Sequence, residues 1–198
     1  MSNPHVVESH PFGLPMGTVR GFMSVLICSF FWLVLLVPNA NPAPLGHFFL
    51  LTLVFLAFAS HPLPEGVGSS FLPWLMRVLF VGGSAAVVIF MIAKHPHLLK
   101  ARLTPDAGEI SQWPVLLGTL AGGFGVGLAM RFFIGRRSDM FQTLRSWIGI
   151  LSIVLLIGET IFQFLIKPGM TEVPGPDTLA VWEGILIAFV ACYFGTRA

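Results

Sequence analysis

Charge is what this chain has least of: 11 Lys and Arg and 9 Asp and Glu in 198 residues, 10% in all. A soluble domain carries about 25%, so a water-facing surface over most of the chain is excluded. A net charge of +2 with no basic stripe excludes a nucleic-acid partner. There are two cysteines, Cys28 and Cys192, both inside apolar segments and without the neighbours that a disulfide framework or metal site needs. No run of residues resembles a catalytic or cofactor signature, and no cofactor or metal is expected. The six histidines, His5, His10, His47, His61, His95 and His97, lie in the N-terminal tail or at segment ends, where none can ligate a haem iron from mid-membrane. His47, His95 and His97 fall on one predicted side, but their spacing is a weak metal pattern even with Asp106 or Glu109.

In place of charge the chain has long apolar stretches: 55% of residues are hydrophobic, and mean hydropathy is +0.85. A membrane-spanning helix takes about 20 mostly apolar residues. Pro, Gly and charge clusters divide the sequence into six such segments, roughly 21–37, 44–60, 71–93, 114–134, 146–166 and 178–194. The expected fold is all-α: a polytopic membrane protein of about six transmembrane helices, with an N-terminal cytoplasmic tail over 1–20 and one helical domain over 21–198. The second segment is short enough to be re-entrant or interfacial instead. A cleaved signal peptide is disfavoured, because Arg20 is the only Lys or Arg among the first 20 residues, which include Glu8. The third and fourth segments are joined by an extended loop, 94–113, and the fifth and sixth by 167–177.

Six crossings put both termini on one side. Arg20, Arg77, Arg131, Arg136, Arg137, Arg145 and Arg197 then fall on the terminal side, against Lys94, Lys100, Arg102 and Lys167 opposite. Seven against four predicts cytoplasmic termini. Trp113 and Trp147 open the fourth and fifth segments, at the headgroup level that indole prefers.

An internal repeat accompanies this threading. Thr18-Val19-Arg20-Gly21-Phe22 matches Thr143-Leu144-Arg145-Ser146-Trp147, with Leu75-Met76-Arg77 a looser third copy. Phe132-Phe133-Ile134-Gly135-Arg136-Arg137 likewise matches Cys192-Tyr193-Phe194-Gly195-Thr196-Arg197. The pattern predicts three consecutive helical hairpins, each odd helix starting on an Arg held at the lipid phosphates, and the fourth and sixth ending on a Gly cap followed by Arg. Gly13-Leu14-Pro15-Met16-Gly17-Thr18-Val19-Arg20 and Tyr193-Phe194-Gly195-Thr196-Arg197 also resemble segments of uncharacterised multi-pass membrane proteins of bacteria. That resemblance covers about 15 residues and implies a bacterial inner-membrane setting, with no activity attached.

Few polar residues lie inside the apolar segments. Glu159 and Glu183 lie at a common depth, about 10 and 8 Å from the same predicted face at 1.5 Å per residue, and Gln163 shares a helix face with Glu159. A carboxylate at mid-bilayer costs about 2.5 to 3.5 kcal/mol, and less toward the interface. The three are therefore candidates for a proton or cation site, against a plain reading in which each carboxylate reaches the interface or bonds to backbone. The fourth segment carries Gly118-x-x-x-Gly122 and Gly123-x-x-x-Gly127, and the third offers Gly82 and Ala86. Small residues at this spacing let helices approach closely, within one chain or between protomers. Arg20, Arg77, Arg131, Arg136, Arg137 and Arg145 are read as contacts to lipid phosphates or to an acidic partner.

These features point first to a non-enzymatic accessory or scaffold subunit of a membrane complex. It would be embedded in the bilayer and held to a protein partner, or to a second copy, through its glycine-rich helices. The alternative is a small transporter or channel that uses the intramembrane carboxylates. No enzyme activity is indicated.

Overall fold

The computed structural model describes residues 18–38, 40–59, 71–105, 107–134, 138–170 and 176–197. Among these the chain is all-helical: α1 (Thr18–Leu36), α2 (Leu45–Ala59), α3 (Phe71–Lys94), α4 (Pro96–Leu103), α5 (Ala107–Ile110), α6 (Trp113–Ile134), α7 (Asp139–Ile161) and α8 (Pro176–Gly195). A π-helical turn, Phe162–Ile166, and a 3-10 turn, Lys167–Gly169, prolong α7. Three helices are long and apolar enough to cross a membrane: Thr18–Leu36, Trp113–Ile134 and Asp139–Gly169. Three apolar stretches are shorter: Leu45–Leu56, Val78–Lys94 and Val181–Gly195.

Proline sets several boundaries. Pro96 has no N–H to extend α3, yet its fixed φ suits a first helical position, so α3 stops at Lys94 and α4 restarts at once. Pro176 opens α8 in the same way. The stretch expected as an extended loop between the third and fourth segments therefore contains α4 and α5. Helix α7 starts seven residues before the apolar run that marks it (Asp139 against 146) because helical bonding continues through its polar first turns. Asp139 in the first turn also suits the positive end of the helix dipole.

Helix α8 is central. It packs most extensively on α6 and also on α7 and α2, while α1 packs on α3, α7 and α2. Met23 and Ile27 of α1, Leu50 and Val54 of α2, and Leu186, Ile187 and Val190 of α8 form the main core. A second cluster of Phe30, Phe31, Val34 and Ala43, with Phe48, Leu103 and Phe164 against it, fills the end of the bundle where α1 finishes and α2 begins.

Much of the described surface outside this core is apolar. Val81, Ile89, Phe90 and Ile92 of α3, Val115 and Val126 of α6, and Val154 and Leu165 of the α7 rod are all exposed. Such a band is what hydrocarbon, and not water, would solvate.

Candidate functional site

A helix ends with about four backbone carbonyls, and starts with about four amides, that have no partner within the helix. At the turn between α1 and α2 these groups are met by charged side chains from distant parts of the chain. Arg102, at the end of α4, is buried, and its Nη1 donates to the Val34 carbonyl at 3.0 Å and the Leu35 carbonyl at 2.8 Å. A guanidinium at the carbonyl end of α1 meets the negative end of the helix dipole. The Arg102 carbonyl in turn accepts from the Ala43 amide at 2.9 Å. The sequence gives Arg102 only as one of the four positive charges expected opposite the termini; in the structure it caps the end of α1.

The start of α2 is met by acid. The Leu45 amide donates to Glu109 Oε2 at 3.1 Å, and the Gly46 amide donates to Glu183 Oε2 at 3.0 Å. The His47 amide uses the Pro44 carbonyl at 3.1 Å. The first three amides of α2 are thus satisfied, two of them by carboxylates lying where the dipole favours negative charge. A Cβ at position 46 would lie 2.6 Å from Glu183 Oε2, so a larger residue there would displace the carboxylate from the amide it accepts from. Replacing Glu183 with Leu strips the Gly46 amide of its acceptor. The expected loss is about 1 to 3 kcal/mol in a denaturant titration, and Glu183→Gln, which keeps a carbonyl oxygen, should recover most of it.

Glu159 takes different partners. The Gln163 amide donates to its Oε1 at 3.1 Å, and the Trp182 indole N–H donates to its Oε2. Glu159 and Gln163 are both buried. The π turn begins at Phe162, between Glu159 and Gln163, and also carries Phe164, whose ring lies edge-on to Phe30 with centroids 5.5 Å apart. Trp182 and Glu183 are neighbours on α8, so the two carboxylates occupy one region, Glu159 bonded to Gln163 and Trp182 and Glu183 to the start of α2.

His47 completes the group. Its ring stacks on Phe30 at 3.7 Å between centroids, stands edge-on to Phe31 at 6.4 Å, and is 1% exposed. Neither ring nitrogen has a hydrogen-bond partner among the described residues. His95 and His97 are exposed and face each other 6.3 Å apart. No group of three metal-binding side chains occurs among the described residues.

The glycines of α6 divide between two surfaces. A Cβ at Gly123 would stand 2.5 Å from the Ala188 carbonyl oxygen, and one at Gly127 would overlap the Cys192 carbonyl, so α6 and α8 touch backbone to backbone. Gly118 and Gly122 meet nothing within 4 Å and are exposed. Gly82 of α3 also meets nothing and Ala86 is exposed, while the main neighbours of α3 are α1 and α4. Gly195, expected as a helix C-cap, is the last residue of α8, has no left-handed φ, and lies against the Phe124 carbonyl and Gly127 of α6. Its smallness serves packing.

Among the arginines, Arg20 stands 5.9 Å over the Phe194 ring and Arg145 stands 5.8 Å over the Phe141 ring. Arg131 lines a surface groove with Leu128, Ala129, Phe132 and Phe133. Arg77 lies on α3 with its side chain outside the described residues, as are Arg136, Arg137 and all of 1–17. Trp113 and Trp147 are exposed. Val19 of α1 lies against Gly149 of α7, and Tyr193 of α8 meets the same glycine. The two helices that share the Thr-x-Arg start are thus neighbours.

The sequence does not mark Trp182 or the Gly46 amide, and it gives Arg102 only a place in the charge count and Glu109 only a weak metal-ligand role. Arg102 and Glu109 look like loop charges until the ends of α1 and α2 are placed beside them. Trp182 next to Glu183 on an otherwise apolar helix was the one local signal. No family model, curated protein or solved structure matches the chain.

Proposed function

We propose that this chain is a membrane scaffold or accessory subunit without enzymatic activity. In this reading six helices cross a bacterial inner membrane with both termini cytoplasmic, and a partner's transmembrane helix packs on the outer face of α6. One observation carries the proposal: the buried carboxylates are engaged by the chain's own amides and indole, whereas Gly118 and Gly122 present an uncovered small-residue face. A polar side chain used up in holding helices together is poorly placed to bind and release an ion, while a bare glycine strip at lipid level lets another helix approach closely.

The test is cysteine crosslinking in intact membranes. Gly118→Cys and Gly122→Cys are expected to give a discrete adduct, with a second copy or with one other membrane protein, and Val154→Cys on α7 is expected to give none. Gly122→Ile in the Gly118→Cys background should reduce adduct yield about tenfold, the equivalent of roughly 1.4 kcal/mol at a helix interface. Monomer alone from both glycine positions sinks the proposal.

A second reading, a small transporter or channel, is favoured by the π turn beside Glu159, since such turns recur at functional sites. It predicts that Glu159→Gln together with Glu183→Gln abolishes ion-dependent flux in reconstituted vesicles. Flux equal to that of the unmodified protein excludes it.

A further inference from the structure

We infer that the outward face of α4, together with the end of α3, is a docking surface for the phosphate headgroups of anionic lipids. The first observation is how α4 divides its side chains. His97, Lys100, Ala101 and the capping Thr104 are exposed, whereas Leu98, Leu99 and Leu103 are half-buried and Arg102 is buried. That alternation is the period of a helix lying with one face on the bundle. The chain itself uses the inward face: Arg102 bonds to the Val34 and Leu35 carbonyls, and Leu103 packs on the second core cluster. Lys94 and His95, where α3 passes into α4, are exposed like His97, whose ring stands 6.3 Å from that of His95.

The outward face carries charge of one sign. No Asp or Glu occurs from 94 to 105. Asp106 lies outside the described residues, and Glu109 accepts from the Leu45 amide at the start of α2. Among the described residues neither the Lys94 nor the Lys100 ammonium has a hydrogen bond or ion pair.

The second observation is depth. Ile89, Phe90 and Ile92 on α3 are 66%, 49% and 56% exposed, so this helix turns apolar side chains outward almost to its end. Lys94 follows Ile92 by two residues, about 3 Å further along the axis. The cations therefore stand where the apolar band stops, at the level where hydrocarbon gives way to headgroups. A lysine there lays its stem along apolar surface and holds its ammonium among the phosphates, and each such cation adds to the attraction for an anionic membrane. This inference rests on the bilayer in the reading above and is independent of any partner at α6.

The chain has three lysines, Lys94, Lys100 and Lys167, so amine labelling contains its own reference. The unmodified protein is placed in phosphatidylcholine nanodiscs with or without phosphatidylglycerol and acetylated with an uncharged reagent, each lysine being followed by peptide mass spectrometry. Phosphatidylglycerol is expected to slow Lys94 and Lys100 about fivefold relative to Lys167. Lys167 serves as the reference because it is half-buried and its charge acts on Glu159 and Glu183. High salt should remove the difference. Equal slowing at all three lysines, or none at Lys94 and Lys100, overturns the inference. Equal slowing by glycerol phosphate in phosphatidylcholine nanodiscs also overturns it, because the surface would then take a soluble phosphate and not a lipid. Protein that stays outside the nanodiscs would overturn the bilayer reading itself, and this inference with it.

Discussion

Replacing Gly127 with Leu should leave the chain unable to form its α6 and α8 contact. This helix pair is the most extensive in the protein, and it is made by backbone on backbone: a Cβ at Gly127 overlaps the Cys192 carbonyl and lies 2.9 Å from the Thr196 amide nitrogen. Neither obstacle is the tip of a flexible side chain, so relief requires the helices to separate. Separation also breaks the contact of Gly195 with the Phe124 carbonyl. Inserting extra methylenes into a packed core typically costs about 1 to 3 kcal/mol when side chains can shift. A rigid backbone obstacle puts the expected loss at the top of that range or above it. An unfolding titration in mixed detergent, followed by circular dichroism, reads the effect. Gly122→Leu is the control on the same helix, where open space predicts a change within about 0.5 kcal/mol. Equal losses at the two positions would mean that α6 does not sit on α8 through its Gly123 and Gly127 face.

Arg102→Met should have the next largest effect. Methionine keeps much of the apolar stem but removes both donors from the Val34 and Leu35 carbonyls, which lie where water cannot easily replace them. Hydrogen bonds to a charged group contribute about 1.5 to 3 kcal/mol each, so a loss of roughly 3 kcal/mol is expected in the same titration. Arg102→Lys should recover part of this, since both bonds come from the one nitrogen Nη1 and an ammonium still suits the negative end of α1, but its head reaches less far and is more strongly hydrated than a guanidinium. A loss under about 1 kcal/mol for the Met variant would show that Arg102 is not a determinant of the α1 end. The Glu183→Leu effect should be roughly additive with it, because the two side chains cap different helices.

The six apolar segments could be read from the sequence because hydropathy is a local property, and each emerges as a helix close to its expected bounds, except that the fifth starts well ahead of its apolar run, at Asp139. Pro96 and Pro176 marked boundaries for the same reason, since proline acts on its own turn. The relation of Glu159 to Gln163 was also local: four residues apart on a helix, they share a face, and they are bonded. The partner of α6 was not local. Its two glycine pairs are equivalent as strings, yet Gly123 and Gly127 lie on α8 while Gly118 and Gly122 lie open. Which face a helix turns inward depends on every other helix at once.

The amino-acid order by itself determined a chain built of apolar helices, sparse in charge, with a few costly polar residues within them. Only the tertiary arrangement decided what those residues do. Glu183 meets an amide 137 positions away in sequence, and Arg102 meets carbonyls 67 and 68 positions away. The physical reason is that a helix end is a demand for hydrogen bonds that its own sequence leaves open, and the groups that meet it are fixed by which helix ends are packed together.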